Sequence, residues 1–85
     1  MDSQALEETL FEEEKVFQKL REAELTKMIQ QLPQGYRIVF NLYVIEGYSH
    51  GEIADLLGIS ENTSRSQLFK AKAVLRKKIE SHLLA

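Results

Sequence analysis

The side chains best suited to molecular recognition lie close together near the C-terminal end of the chain. The guanidinium of Arg65 can donate two hydrogen bonds to guanine O6 and N7, and the carboxamide of Gln67 can pair with adenine N6 and N7. Thr63 lies near the start of a predicted helix, where free backbone N–H groups favour a phosphate. Ser66 and Lys70 add a hydroxyl and a cation. These residue types favour contact with DNA over the alternative, a solvated helix face.

The sequence lacks the residue patterns of the common catalytic and metal sites. It contains no Cys, and its two histidines, His50 and His82, are far apart and form no HExxH pair. The adjacent acids Glu12, Glu13 and Glu14 cannot face one another on a helix, so they do not form a carboxylate pair. No glycine-rich phosphate loop and no GxSxG motif is present. We therefore predict a protein that is not an enzyme and that uses no metal, cofactor or small-molecule ligand.

A short helix with strong end signals precedes the candidate recognition residues. Ser49 and Glu52 have the spacing of a capping box, and Tyr48 and Ile53 have the spacing of a hydrophobic staple. Gly58 stands where a helix C-cap needs a positive φ. The sequence therefore predicts a short helix that ends in a tight turn at this glycine. Its apolar face is predicted to comprise four residues: Ile53, Ala54, Leu56 and Leu57.

A longer basic helix is predicted after the turn, from Glu61 to about Ser81, with Ser60 as its N-cap. Its inward side is predicted to carry Leu68, Ala71, Leu75 and Ile79. Its flanks and outer side are predicted to carry Arg65, Ser66, Phe69, Lys70, Lys72 and Arg76. For Phe69, a partly buried position is preferred over contact with a thymine methyl group. Residues 49–80 then form a helix-turn-helix whose second helix can enter the major groove.

Two further helices are predicted upstream. An apolar stripe between Lys15 and Gln31 indicates an amphipathic helix, which Pro33 ends. The next helix is predicted over residues 34–46, where Gly47 ends it. With one Pro and four Gly, the chain leaves little room for β-hairpins. We predict an all-α fold over residues 15–82, a small four-helix helix-turn-helix domain that is winged-helix-like without the wing.

Charge is distributed unevenly along the chain. Residues 2–24 carry eight acidic and three basic side chains, whereas residues 61–80 carry six basic and two acidic ones, although the net charge of the whole chain is only −2. DNA responds to a local basic surface rather than to the overall charge. Residues 1–14 are either a fifth helix or an acidic interdomain linker. No apolar run could span a membrane and no signal peptide opens the chain, so we expect a cytoplasmic location.

The segment from Leu32 to Glu80 resembles region 4 of bacterial sigma factors, specifically the extracytoplasmic-function (ECF) type. The resemblance covers about 50 of the 85 residues. It rests on Leu32-Pro33, Tyr36-Arg37 and Val39-Phe40-Asn41-Leu42, followed by Glu46-Gly47-Tyr48-Ser49, Glu52-Ile53-Ala54, Leu57-Gly58-Ile59-Ser60, Thr63, Arg65-Ser66 and Leu68. The chain departs from the family pattern at Ser64 and Gln67, where Val or Ile and Arg are frequent.

The resemblance implies recognition of the promoter −35 element by the helix that starts near Glu61. It also implies contact with the β flap of RNA polymerase and sequestration by an anti-sigma protein. The DNA-binding residues that we predict are Arg37, Thr63, Arg65, Ser66, Gln67, Phe69, Lys70 and Lys72, with Arg37 and Lys72 contacting the DNA backbone. The acidic residues 1–14 would then be a linker through a basic polymerase channel, or a segment folded back on the basic helix.

Two other functions are compatible with the helix-turn-helix. One is the DNA-binding domain of a response-regulator-type transcription factor, which shares the EIA and LGIS segments and the long basic helix, and which usually dimerises. The other is a protein-interaction domain in which the helix-turn-helix is only a scaffold. In the second case, loss of Arg65 and Lys70 would leave binding to the partner intact.

Overall fold

The computed structural model describes residues 22–84, which form four α-helices. The helices are α1 (Glu22–Gln30), α2 (Gln34–Phe40), α3 (His50–Leu57) and α4 (Glu61–Leu84), and a π-helix (Asn41–Ile45) continues α2. No β-strand occurs in this range. The predicted all-α helix-turn-helix fold is confirmed. The acidic lead-in, residues 1–14, and the predicted start of the first helix, residues 15–21, lie outside the described residues.

Helix α4 forms one side of the hydrophobic core and contacts each of the other three helices. Its inward side chains, Leu68, Ala71, Leu75 and Ile79, are all at most 3% exposed, as predicted. The other helices and the α1–α2 connection pack Ile29, Leu32, Val39, Phe40 and Ile53 against this side. The packing therefore leaves the opposite side of α4 free to face solvent.

The connection between α1 and α2 follows the proline signal. Pro33 has extended backbone angles (φ −51°, ψ 146°) and caps α2, so the helical path is broken there. Just before it, the N–H of Leu32 donates to the carbonyl of Ile29 at 3.1 Å, which tightens the end of α1. The side chain of Leu32 is only 3% exposed. The short connection thus adds to the core while reversing the chain.

The helix predicted over residues 34–46 changes its hydrogen-bond pattern at Asn41. The N–H of Glu46 donates to the carbonyl of Asn41, five residues earlier, at 3.0 Å. In an α-helix, three consecutive residues point in directions spread over about 200°. Here Leu42, Tyr43 and Val44 all pack against the core. The wider π turn accommodates this arrangement, which apolar spacing alone does not predict.

The predicted apolar face of α3 is wrong at two of its four residues. Ile53 and Ala54 are buried, but Leu56 is 60% exposed and Leu57 is 39% exposed. Leu56 is two residues after Ala54, which places it about 200° further around the helix. Leu57 is the last residue of α3, beside the turn. A helix of two turns therefore buries one narrow side.

We expect Leu75→Ala to lower the free energy of unfolding by about 2–5 kcal/mol, because it removes a fully buried side chain from the core. Leu84→Ala is the matched control on the same helix, since Leu84 is 87% exposed. Urea unfolding followed by circular dichroism would measure both changes. Equal stability of the two variants would contradict the packing described.

Candidate nucleic-acid interface

The start of α3 is held by a capping box. The Ser49 hydroxyl accepts a hydrogen bond from the N–H of Glu52, and the Glu52 carboxylate accepts one from the N–H of Ser49, both at 3.1 Å. Each bond satisfies a backbone donor that the helix itself cannot pair. The predicted cap is confirmed, and it fixes where α3 begins.

The turn between α3 and α4 depends on Gly58 and Ser60. Gly58 has φ 67° and ψ 37°, the left-handed conformation expected for a helix C-cap. The Ser60 hydroxyl then accepts a hydrogen bond from the N–H of Thr63 at 3.0 Å, so α4 begins at Glu61. Ile59, between the two caps, packs against the core. These local signals set the direction in which α4 leaves the turn.

The N-terminal half of α4 presents one side to solvent. Ser66 lies at the middle of this side, since Phe69 and Lys70 follow it by three and four residues. The exposed or half-exposed members are Asn62, Thr63, Arg65, Ser66, Phe69 and Lys70, and we call this set the α4 outer face. The structure thus brings together five of the eight predicted site residues. Asn62 was not among them.

Phe69 belongs to the α4 outer face and not to the core. Its side chain is 49% exposed, so the preferred core position is wrong. It follows Leu68 directly, and Ala71 comes two residues later, so it points away from the side on which both are buried. A large aromatic side chain is therefore available for contact with a partner.

Lys72 and Gln67 do not lie on the outer side. Lys72 is only 4% exposed, so the expectation that it faces outward is wrong; it comes one residue after the buried Ala71 and four after the buried Leu68. The Oε1 atom of Gln67 is buried and makes no hydrogen bond within the described residues. It lies 3.5 Å from where a Cβ on Gly35 would stand, against α2.

Arg37 lies on α2 and supports the fold. Its NH1 group donates a hydrogen bond to the carbonyl of Gln30, the last residue of α1, at 3.3 Å. A cation suits a helix C-terminus, where unpaired carbonyl groups concentrate negative charge. Arg37 therefore links α1 and α2, and its predicted contact with the DNA backbone stays a prediction.

His50 and Ser64 connect α3 and α4 behind the α4 outer face, a contact that was not predicted from the sequence. Ser64 is completely buried, and its hydroxyl lies 2.8 Å from Nδ1 of His50, within hydrogen-bond distance. The His50 ring also stacks on Tyr43 with a centroid distance of 4.4 Å. The sequence did contain a signal that Ser64 is buried. It lies four residues before Leu68 and therefore on the inward side of α4.

Arg65 is oriented by two acceptors from its own helix. Its NH2 group forms an ion pair with Glu61 at 3.2 Å, and its NH1 group donates to Oδ1 of Asn62 at 3.5 Å. The Arg65 side chain remains 38% exposed. A guanidinium has five N–H donors, so two bonds leave others available to a ligand.

The family model of sigma-70 region 4 matches residues 22–75. The chain belongs to the sigma-70 region 4 family. Domains of this family are non-enzymatic DNA-binding modules of sigma factors that recognise the promoter −35 element and bind the RNA polymerase core. Comparisons with curated proteins and with solved structures gave no match.

The match covers α1, α2 and α3 of this region 4 domain and the first part of α4. It ends at Leu75, within α4. None of the helices described in residues 22–84 is long and apolar enough to cross a membrane.

The environment of His50 disfavours its charged form. Burial lowers the pKa of His50 below its ordinary value, Arg65 and then Lys72 lower it further, and Glu61 opposes them. His50 is also the first residue of α3, and a helix N-terminus disfavours a cation. The link between α3 and α4 in the region 4 domain is therefore built from neutral groups.

We expect acid to destabilise the region 4 domain through His50. Because the folded pKa is lowered, the unfolded chain binds more protons, so the stabilisation is present above about pH 6.5 and is lost as the pH falls towards the folded pKa. Melting temperatures measured between about pH 5 and pH 8 should fall more steeply for the wild type than for His50→Gln. An NMR titration placing the His50 pKa at or above 6.5 would contradict this expectation.

Proposed function

We propose that this region 4 domain is the C-terminal module of an ECF-type sigma factor and binds the −35 element of promoter DNA. The observation that carries the proposal is the α4 outer face, which offers polar, cationic and aromatic side chains on the first turns of a helix after a capped turn. B-DNA has a major groove wide enough for one such helix. The ECF assignment is supported by the block from Leu32 to Phe40 and by the block from Thr63 to Lys72.

The proposed contacts are those that the structure leaves accessible. Arg65 reads a guanine, Ser66 contacts an adjacent base edge, and Phe69 packs on a thymine methyl group. Thr63 at the start of α4 and Lys70 contact phosphates. Lys72 and Gln67 are not proposed as contacts, because both are turned inward. Arg37 keeps its proposed contact with the DNA backbone, since its bond to α1 uses one of five N–H donors.

A second surface of the domain is available to RNA polymerase at the same time. A groove between α1 and the C-terminal part of α4 is lined by Met28, Gln31, Lys77, Lys78, Ser81 and His82. Lys77 is twelve residues after Arg65, which corresponds to about 18 Å along the helix. Bound DNA at the start of α4 therefore leaves this groove open. An anti-sigma protein that covered either surface would block the assembly.

The proposal is tested by selecting duplexes from a randomised library with the 85-residue chain, followed by a footprint with reconstituted polymerase. We expect enrichment of a short motif and protection of that motif upstream of the transcription start. Binding of the isolated chain should be weak and salt-dependent, because one small domain neutralises few phosphates. Recovery of no preferred sequence would refute promoter recognition by this domain.

We expect Arg65→Ala to change the sequence preference, with a loss of about 1–3 kcal/mol of discrimination at one base position. Lys70→Ala should instead weaken binding to all sequences about equally and reduce the salt slope by about one. Fluorescence anisotropy over a salt series measures both. Lys77→Ala is the control, since Lys77 is also exposed but lies about two turns beyond Lys70. Identical effects of all three substitutions would contradict the assignment of roles.

A further inference from the structure

The first residue of α4 lies between the two helices of the helix-turn-helix. Glu61 directs its Oε2 atom to NH2 of Arg65 at 3.2 Å. Its other oxygen, Oε1, lies only 3.0 Å from where a Cβ on Gly51 would stand. Gly51 is the second residue of α3, where unpaired backbone N–H groups favour a negative charge. One carboxylate therefore contacts both the supporting helix and the arginine of the outer face.

The absence of a side chain at Gly51 leaves room for this position. Any other residue would place its Cβ 3.0 Å from the Glu61 carboxylate, so the carboxylate would have to shift by a few tenths of an ångström. A shift of that size perturbs the 3.2 Å bond to NH2 of Arg65. Removal of the carboxylate would leave Asn62 alone, at 3.5 Å from NH1, to orient the guanidinium.

Stability is a poor explanation for the Glu61–Arg65 pair. The two side chains are 55% and 38% exposed, and exposed pairs four residues apart on a helix contribute little to stability. The charge of Glu61 weakens binding to DNA of any sequence, because it repels phosphates near the start of α4. Orienting the donors of Arg65 has a different consequence from the charge. It affects binding only when the guanidinium must bond to one particular base.

We propose that Glu61 is a positioning residue for sequence recognition: held over Gly51, it orients Arg65 towards one base edge and lowers affinity for DNA in general. The proposal rests on the proposed function. It adds that selectivity in this domain depends on an acidic residue and on a glycine, neither of which contacts a base.

Four variants separate orientation from charge. Glu61→Ala removes the acceptor and the charge, whereas Glu61→Gln keeps an acceptor oxygen and removes only the charge. Gly51→Ala keeps the charge but shifts the carboxylate by a few tenths of an ångström, and alanine is well tolerated in a helix, so folding is not at risk. Glu80→Gln is the control, because Glu80 is another exposed acid on α4, far from Arg65 in sequence.

The measurement is the ratio of affinities for the best duplex from the library selection and for a scrambled duplex of the same composition. Fluorescence anisotropy at one fixed salt concentration gives both affinities, and thermal unfolding checks that each variant is folded. We expect Glu61→Ala to bind the scrambled duplex more tightly and to lower the ratio about fivefold or more, the low end of what one bidentate base contact contributes.

The other variants should divide these two effects. Glu61→Gln should bind the scrambled duplex as tightly as Glu61→Ala but keep most of the ratio. Gly51→Ala should lower the ratio by less than Glu61→Ala, without tighter binding to the scrambled duplex, and Glu80→Gln should leave the ratio unchanged.

An unchanged ratio in Glu61→Ala overturns the positioning role. So does a Gln variant that loses the ratio as fully as the Ala variant, or a Gly51→Ala variant that loses more of the ratio than Glu61→Ala does. A wild-type ratio of one refutes the proposed function itself, so the two failures are distinguishable.

Discussion

Burial of one side of α4 is the constraint on which the domain depends. Leu68, Ala71 and Leu75 are almost inaccessible to solvent, and side chains from the other helices and their connections pack against them. Because the helical period relates each position to those three and four residues away, fixing this side also fixes which residues point outward. The α4 outer face is therefore a consequence of core packing. Ser66 and Lys70 are exposed because they lie on the side of α4 opposite to these buried residues.

The features that could be predicted from the sequence are those with local signals. Ser49, Glu52, Gly58 and Ser60 each act through backbone groups within a few residues, so their types and spacing were sufficient to locate the ends of α3 and α4. The inward stripe of α4 was also predictable, because its apolar residues keep a regular period. The cap signals and the apolar period together predicted the helix-turn-helix. They also predicted that Thr63, Arg65, Ser66 and Lys70 face outward.

The features that could not be predicted depend on contacts between distant segments. The contact of His50 with Ser64 joins residues fourteen apart in sequence, and the π turn at Asn41 has no proline or glycine to mark it. Lys72 was assigned outward from its charge, although it lies between two inward positions of the helix and its aliphatic stem can be buried. Phe69 was the opposite case: its size suggested burial and its helical position decided otherwise.

The 24 residues of α4 form one uninterrupted helix from Glu61 to Leu84, about 36 Å long at 1.5 Å per residue. A rod of this length that pivots by about 3° at its C-terminal end moves its first turn by about 2 Å, which exceeds the distance range over which a hydrogen bond persists. The groove beside Lys78 and the hydrogen-bond donors of Arg65 thus lie on the same continuous helix. A partner that tilted α4 at the groove would therefore also shift the donors of Arg65 at the other end.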